Sequence, residues 1–438
     1  MIKRAYLVGE AQGRPDDVIG GLPILLRQAL SLQDAGVQEL VLIGLSAASL
    51  LADSRLRITV REQPAASVRS DEDAIVAPAG SIWHPAVARR LTRTAIAATD
   101  VAAVGSGTAA LYACGRSRVG EIVAALLTDA LTSASGVTPI ATRPPEFVVA
   151  PRTASERRAA TTCLLRSLHK ATDGLASRHL HRPVARRVVK LLLPTKVTPD
   201  EVTMWSGVAG VLAAVALVFG VDRPVLRLVS AALLLGSVVL DCVDGQLARA
   251  RKTMSPGGTA FDTVMDVVVS LAMLLAATSV VWQQHETRWL WLLAPTAFVG
   301  YAVQCFFFDV AKERYLVGHG LAYASSKTVL ADQTAPEAGN GQARGQMILR
   351  RLFDQYWHVA HGLTETPGTA APGESGGPLY IRAWTFLGQG THMAMLYAAA
   401  AVSYFWPPAL YVCLLVFAVV MNTMMCVLLL TDTWAARS

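Results

Sequence analysis

Residues 240–266 read LDCVDGQLARARKTMSPGGTAFDTVMD, and four aspartates in this stretch stand at the edge of two long apolar runs. They are Asp241, Asp244, Asp262 and Asp266. Carboxylates beside hydrocarbon are costly, and clusters of ionisable residues in membrane segments usually serve a function. This stretch therefore decides both where the membrane helices run and where chemistry is expected.

The composition of the chain argues against a purely soluble protein. Of its 438 residues, 53% are hydrophobic and 16% are charged. The net charge of +7 suits nucleotide phosphates or an anionic membrane surface, and the sequence has no motif for reading a nucleic-acid groove, so no nucleic-acid partner is expected. Six scattered cysteines without a CxxC pair indicate a reduced compartment and no structural zinc.

Six apolar stretches have the length of membrane-spanning helices. They lie at about 203–220, 225–247, 260–282, 288–310, 385–406 and 408–430. The Lys and Arg residues of the connections fall on one side of a six-span path, which predicts that this side is cytoplasmic. We expect a six-helix, multi-pass domain over 203–438 in the inner cell membrane, with both chain ends inside. A polar cytoplasmic loop is expected at about 316–383, with a short helix at MILRRLFDQYWHVA (347–360).

The part of the chain before the predicted spans has a different pattern of apolar residues. Residues 1–165 alternate short apolar strands, such as AYLVG (5–9), with helical stretches, such as LPILLRQALSLQDAG (22–36), and this pattern predicts a cytoplasmic α/β domain. Residues 166–202 form a linker in which Arg and Lys recur beside Val and Leu at helical spacing. We expect a basic amphipathic helix here that lies on membrane lipids.

The spacing of the aspartates predicts a single site on two helices. The first helix would carry a stripe with offsets 0, 3, 4, 7 and 8, and the second a stripe with offsets 0, 4 and 8. The members of the first stripe are Asp241, Asp244, Gly245, Ala248 and Arg249, and those of the second are Gly258, Asp262 and Asp266. Because a tight SPGG turn joins the helices, the four carboxylates are expected to converge near the cytoplasmic membrane surface.

Four converging carboxylates predict a metal site. Unpaired charge in a low-dielectric site is very unfavourable, so the acids would take up protons or bind cations. Oxygen-only ligands favour Mg²⁺ or Mn²⁺, which complete their shells with water and substrate phosphate. Gly245, Ala248 and Gly258 leave room for a ligand, and Arg249 can hold a phosphate oxygen.

Two other interpretations of the aspartates remain open at this point. They could form a polar helix end that snorkels to water in an ion-pair network with Arg249, Arg251 and Lys252. They could also belong to the ion or proton pathway of a transporter, although such a pathway needs acids distributed through the depth of the bilayer.

The pattern D-x-x-D-G-x-x-A-R, eight residues, then G-x-x-x-D-x-x-x-D resembles the signature of the CDP-alcohol phosphotransferase family at every fixed position. This resemblance implies a six-helix membrane enzyme, commonly a homodimer, that moves a substituted phosphate from a CDP-alcohol to an acceptor hydroxyl and releases CMP. It implies that the four aspartates bind the metals, that Asp266 is also the base for the acceptor hydroxyl, that Gly245 and Ala248 border the cytidine, and that Arg249 holds the diphosphate.

The upstream stretch KATDGLASRHLHRPVARRVVKLLLPTKVTPDEVT (170–203) resembles the junction in fused members, which join a cytidylyltransferase-like domain to a di-inositol-phosphate-phosphate synthase. Those members usually carry Asn-Arg at His181-Arg182 and Pro-Asn at Pro199-Asp200. The resemblance implies that Arg182, Arg186 and Lys190 hold a phosphorylated acceptor such as inositol phosphate. Glycerol phosphate, another polyol or a lipid alcohol remain alternatives, and a basic helix that faces lipid headgroups would carry the same residues.

The stretch GGLPILLRQALSLQDAGVQELVLIG (20–44) resembles sugar nucleotidyltransferases, in which a glycine-rich loop with Arg and a nearby Lys holds a triphosphate. Here Gly9, Gly13 and Arg14 could bind phosphate, but no lysine stands near Pro23, and IVAPAGSIWHP (75–85) has Ala and Gly where the metal-binding acid is expected. We therefore expect an inactive domain with a nucleotidyltransferase-like fold. The alternative is a bifunctional enzyme whose first domain is an active cytidylyltransferase.

Overall fold

A computed structural model describes residues 1–435 of the chain, with the exception of 10–14, 66–67, 69, 108, 129–135, 169–171, 286–288 and 319–377. The chain divides into two compact units, Met1–Leu168 and His169–Ser438. Most of the loop predicted at 316–383, with its helix at 347–360, lies outside the described residues.

The first unit is an α/β domain built on a mixed sheet of seven strands in the order β10-β8-β9-β6-β1-β4-β5. β1 pairs in parallel with β4 and β6, whereas β9 runs antiparallel to both β6 and β8. The strands are β1 Arg4–Val8, β2 Val18–Ile19, β3 Leu22–Pro23, β4 Glu39–Ile43, β5 Thr59–Gln63, β6 Ala74–Pro78, β7 Ile82–Trp83, β8 Val101–Ser106, β9 Ala109–Cys114, β10 Val137–Pro139 and β11 Val148–Val149.

The apolar runs of the sequence become the centre of this sheet. β1 and β4 are buried from their second residue onward, and β6 is buried throughout, as expected for parallel strands that are covered on both faces. The helices of the unit are α1 Ile24–Gln33, α2 Ala48–Leu51, α3 Pro85–Arg93, α4 Val119–Leu127 and α5 Ala154–Ser167. The prediction of an α/β domain is confirmed.

The second unit is helical. A π-helical turn at Ser177–His181 leads into α6 Arg182–Leu192, followed by α7 Pro199–Phe219, α8 Val225–Arg251, α9 Pro256–His285 and α10 Leu290–Gly318. After the gap come α11 Pro378–Trp384, a 3₁₀ turn at Thr385–Leu387, α12 Gln389–Val402, α13 Ala409–Leu415, a π-helical turn at Val416–Met421 and α14 Asn422–Ala435.

Five helical segments among the described residues are long and apolar enough to cross a membrane: Pro199–Phe219, Val225–Arg251, Gly257–Gln284, Leu290–Leu316 and Ala409–Asp432. The remaining predicted span, 385–406, holds α12, which has 14 residues. That is short of the roughly 20 residues that a helix needs to cross a bilayer. Several apolar helices are therefore confirmed, while the count of six spans stays a prediction.

Local capping sets where α7, α8 and α9 begin and end. The Thr198 hydroxyl accepts from the Glu201 N–H, and the Glu201 carboxylate accepts from the Thr198 N–H across 2.7 Å, so a capping box starts α7. Lys252, with φ of 51°, ends α8 in the left-handed conformation. Ser255 Oγ then accepts from the Gly258 N–H across 3.0 Å in the first turn of α9. These caps fix the register of the aspartates on α8 and α9.

Small residues let α7 pack closely against both of these helices. A Cβ on Gly210 would lie 2.5 Å from the Val269 methyl groups, so this contact with α9 requires glycine. A Cβ on Gly207 would lie 2.7 Å from Met265 Sδ, a flexible side chain that would have to move. On the α8 side, the hydroxyl of Ser206 donates to the Ser237 carbonyl and that of Ser237 donates to the Ser206 carbonyl, each across 2.9 Å. α7 thereby holds α8 and α9 in a fixed relation.

Candidate active site

Three of the four predicted aspartates meet at one point. Asp241 and Asp244 on α8 and Asp262 on α9 each offer a carboxylate oxygen, and these oxygens all lie within 4.8 Å of one another. Asp244 is buried, and the other two are half-buried. The convergence predicted for four carboxylates thus occurs for these three, between α8 and α9.

Asp266 lies one turn after Asp262 and outside this close group, but it lines the same cavity. The cavity has a volume of about 140 Å³, and the residues that line it come from α7, α8, α9, α12 and the segment before α7. Within it, the Gln389 side chain at the start of α12 hydrogen-bonds the Asp266 carboxyl group. The fourth aspartate is therefore placed toward the cavity interior, beside a polar residue of another helix.

Asp244 has a hydrogen-bond donor at each carboxylate oxygen. The Thr203 hydroxyl on α7 donates to Oδ2 across 2.6 Å, and the backbone N–H of Gly245 donates to Oδ1. Thr203 is 4% exposed and Asp244 is equally buried. The orientation of this carboxylate is thus set from two sides.

Four residues are predicted to contact the CDP-alcohol donor. They are Gly245, Ala248 and Arg249 on α8 and Gly258 on α9. A Cβ on Gly245 would come within 3.2 Å of Arg249 Nη1, so the absence of a side chain there gives the guanidinium its space. Among the described residues, the Nε atom of Arg249 is buried without a hydrogen-bond partner. Ala248 and Gly258 are half-buried, and Gly258 lies beside the Asp200 carboxylate. Binding of cytidine and diphosphate by these residues stays a prediction.

Arg251 has a structural role instead. Its guanidinium donates to the Leu192 and Thr195 carbonyls, each across 2.8 Å, and so ties the end of α6 to the end of α8. These bonds satisfy carbonyl groups left open where α6 ends. Arg251 thereby helps position α6.

Of the three basic residues predicted to hold the acceptor, the structure brings Arg182 to the cavity. Arg182 is 8% exposed, lines the cavity, and donates to Asp173 Oδ1 across 2.8 Å. Burial acts to lower the pKa of the Arg182 guanidinium, but the Asp173 carboxylate acts to raise it, and the net result is a raised pKa. Arg186 is half-buried and Lys190 is exposed, and neither is among the described residues that line the cavity.

Sequence reasoning missed several polar residues of the cavity wall. They are Ser177 before α6, Thr203 and Ser206 on α7, Ser237 on α8, and Gln389 on α12. The signal for Gln389 was its presence as a polar residue within an apolar stretch. Thr203 lies one turn beyond the capping box, but its partner Asp244 stands 41 residues later, so no local pattern pointed to the contact.

The donor set fits a hard divalent cation. Its ligand atoms are carboxylate oxygens, which Mg²⁺ and Mn²⁺ prefer, and three negative charges held so close in a partly buried site gain from a cation between them. The two oxygens of Asp244 each retain a lone pair beyond the one used by Thr203 or Gly245. The chemistry of Asp241, Asp244 and Asp262 therefore fits the ligands of a divalent cation.

The phosphate-binding loop predicted in the first unit is described in part. Gly9 follows β1, and a Cβ there would lie 2.9 Å from the Gly44 carbonyl oxygen, so the close approach requires glycine. Gly13 and Arg14 lie outside the described residues. Phosphate binding by this loop, and the inactivity of the domain, stay predictions.

Comparison with known proteins points to one family for the helical unit. Residues 196–326, which contain all four aspartates, match the family model of CDP-alcohol phosphatidyltransferases. This range covers α7, α8, α9 and α10 but ends before Gln389 and begins after Arg182. The family match therefore covers the helices of the cavity wall that carry the four aspartates.

Individual relatives agree with the family model. The chain is 35% identical over 130 residues to a bifunctional IPC transferase and DIPP synthase of Thermococcus kodakarensis, a match that covers 29% of this chain and 28% of the relative. A protein with the same name from Rubrobacter xylanophilus is 39% identical over 94 residues, which cover 22% of this chain and 20% of the relative. Another from Archaeoglobus fulgidus is 26% identical over 145 residues, which cover 33% of this chain and 28% of the relative. Each match spans less than a third of the relative's length. Residues 196–326 of this multi-pass membrane protein therefore match the CDP-alcohol phosphatidyltransferase family.

Proposed function

We propose that the protein is a membrane-embedded, metal-dependent CDP-alcohol phosphotransferase. It moves a substituted phosphate from a CDP-alcohol, of the CDP-diacylglycerol or CDP-inositol type, to an acceptor hydroxyl and releases CMP. The observation that carries the proposal is the convergence of Asp241, Asp244 and Asp262 within 4.8 Å, inside the region that matches the family model. A transporter is less favoured because these acids gather at one point rather than along a path.

Each residue of the site has a role in this reaction. The acceptor oxygen attacks the donor phosphorus that bears the alcohol substituent, Asp266 accepts the hydroxyl proton, and the bond from that phosphorus to the CMP oxygen breaks. Arg249 holds the diphosphate, and Gly245, Ala248 and Gly258 leave room for the donor. Asp241, Asp244 and Asp262, together with Asp266, would hold Mg²⁺ or Mn²⁺, which offsets the charge of the diphosphate and of the leaving group.

A phosphorylated polyol such as inositol phosphate is the favoured acceptor. Arg182 is a buried cation in the cavity wall, and a phosphomonoester with nearly two negative charges gains charge-assisted hydrogen bonds from it, whereas a neutral polyol gains little. The relatives' name, which includes DIPP synthase, agrees with this choice. Arg186 and Lys190 would act at a greater distance or bind lipid headgroups.

The proposal also covers the membrane topology, the oligomeric state and the role of the first unit. Six spans would form the membrane domain of a homodimer in the inner membrane, with the aspartates and the first unit facing the cytoplasm. The first unit would have a nucleotidyltransferase-like fold without activity, because β6 is followed by Ala79 and Gly80 where an acid is expected. The alternative, a bifunctional enzyme, requires that this unit make the CDP-activated donor.

One assay separates these possibilities. The purified full chain, supplied with Mg²⁺, is given CDP-diacylglycerol or CDP-inositol together with inositol phosphate, glycerol phosphate or free inositol, and CMP is measured. We expect CMP release that depends on a phosphorylated acceptor. Pyrophosphate release from CTP and a sugar or polyol phosphate would establish the bifunctional alternative, and an absence of CMP with every pair would contradict the proposed reaction.

A further inference from the structure

Thr203 donates a buried hydrogen bond to Asp244, one of the three clustered aspartates. Its hydroxyl lies 2.6 Å from Asp244 Oδ2, and both side chains are 4% exposed. The same hydroxyl lies 3.2 Å from the Pro199 carbonyl oxygen, one turn back on α7. A threonine in a helix often bonds such a carbonyl without any further role.

The two acceptors compete for a single proton, because a hydroxyl has one O–H donor. The hydroxyl lies 2.6 Å from the Asp244 carboxylate and 3.2 Å from the Pro199 carbonyl oxygen. Hydrogen bonds to a charged carboxylate are also about twice as strong as neutral ones. The proton therefore goes to Asp244, and the Pro199 carbonyl is a secondary partner.

The position of Thr203 is fixed by the structure around it. The Thr198–Glu201 capping box sets the start of α7, and the reciprocal bonds of Ser206 and Ser237 fasten the next turn to α8. A donor placed so rigidly can restrict the rotation of the Asp244 carboxyl group. The Gly245 N–H at the other oxygen completes this restraint.

We propose that Thr203 is a positioning residue that orients Asp244 for metal binding and thereby sets the affinity of the site for a divalent cation. The inference deepens the proposed function, since it concerns the same metal site. Residues that orient a metal ligand typically contribute 10- to 100-fold to metal affinity, so removal of the hydroxyl should weaken binding on the order of tenfold.

The test uses the full chain in detergent or lipid, with Mn²⁺ alone as the probe and electron paramagnetic resonance to count bound ions. Thr203→Val keeps the side-chain shape and removes the donor, whereas Thr203→Ser keeps the donor. We expect the Mn²⁺ dissociation constant to rise about tenfold in T203V and to change less than about threefold in T203S. The matched control is Thr263→Val, because Thr263 is exposed, stands next to Asp262 and bonds the Thr259 carbonyl of its own helix across 3.0 Å.

A double variant distinguishes positioning from a general effect on the fold. In an Asp244→Asn background, Thr203→Val should cause no further loss of Mn²⁺ binding, because its effect passes through that carboxylate. Equal Mn²⁺ affinity in T203V and the wild type would overturn the proposal, and so would equal losses in T203V and T203S. If T203V does not fold, Thr203→Ala compared with T203S serves the same purpose.

The experiments distinguish a failure of the phosphotransferase proposal from a failure of the role proposed for Thr203. Mn²⁺ binding that depends on Thr203, in a protein that releases no CMP from any CDP-alcohol, would refute the phosphotransferase activity and leave the role of Thr203 intact. Metal-dependent CMP release with Mn²⁺ affinity that does not depend on Thr203 would refute the positioning role alone.

Discussion

Arg182 and Asp173 form an ion pair of 2.8 Å in which each side chain is 9% exposed. The Nε atom of Arg182 is buried without a hydrogen-bond partner among the described residues, although the side chain lines the cavity with the aspartates. Breaking a buried pair leaves an uncompensated charge, so Asp173 compensates the charge of Arg182 and holds its side chain in place. A phosphate group of the acceptor would meet a cation that is already oriented.

Arg182→Ala should therefore raise the half-saturation concentration of a phosphorylated acceptor by about 10- to 100-fold, the range expected for a lost hydrogen bond to a charged group. The half-saturation concentration of the CDP-alcohol should change little. Arg186→Ala should have the smaller effect, since Arg186 does not line the cavity. Steady-state CMP release at varied acceptor concentration measures both constants.

The control for this series is Arg187→Ala, which removes an exposed cation from the same helix. If the wild type uses free inositol and inositol phosphate equally well, the basic residues of α6 form a membrane-surface anchor and the reason for the prediction disappears.

Asp266→Asn should abolish turnover even where the donor still binds, because the task proposed for Asp266 is to accept the hydroxyl proton. The rate of CMP release and the binding of a CDP-alcohol to the same preparation are the two measurements. A variant that loses donor binding and yet turns over at saturating donor would assign Asp266 a purely metal-binding role.

Gly210→Leu should destabilise the helical unit, because even a Cβ at this position would lie 2.5 Å from the Val269 methyl groups. Overpacking of this kind typically costs about 1–3 kcal/mol, and here it would also push α9 and its aspartates away from α7. The matched control is Gly236→Leu on α8, where a Cβ meets no atom within 4 Å. Thermal unfolding of both variants in the same detergent checks the prediction; an equal melting temperature for both would contradict the packing argument.

The first unit should lack cytidylyltransferase activity. The full chain, incubated with CTP and a sugar or polyol phosphate, should form no pyrophosphate above background, because the expected Lys near Pro23 and the acid after β6 are missing. Stoichiometric pyrophosphate formation would replace this account with that of a bifunctional enzyme.

Local periodicity explains which parts of the site could be predicted from the sequence. Spacings of three and four residues define one face of a helix, and they predict that Asp241, Asp244, Asp262 and Asp266 lie together. The first three do, on two helices that both pack against α7. Thr203 and Gln389 could not be found in this way, since their contacts with Asp244 and Asp266 join helices that are distant in sequence.

In the fold, too, local sequence patterns predict some features and miss others. The strands β1 and β4 and the long helices α7 to α10 follow their apolar runs, because burial alone specifies them. The hydropathy of the stretch 385–406 predicts one membrane-spanning helix. In the structure, Gly388 takes an extended conformation, with φ of −79° and ψ of 150°, and separates a 3₁₀ turn from α12. Gln389 directly follows this break and lines the cavity, and hydropathy predicts neither feature.

CMP release by purified protein with Asp241, Asp244 or Asp262 replaced by Asn tests the central claim most directly. Each substitution keeps the size of the side chain and removes the charge that metal binding needs. We predict that each variant remains in the membrane and releases no CMP from a CDP-alcohol at any Mg²⁺ concentration, while the wild type does so until Mg²⁺ is chelated. Near-normal CMP release from any of the three variants would contradict the assignment of these aspartates as the metal site.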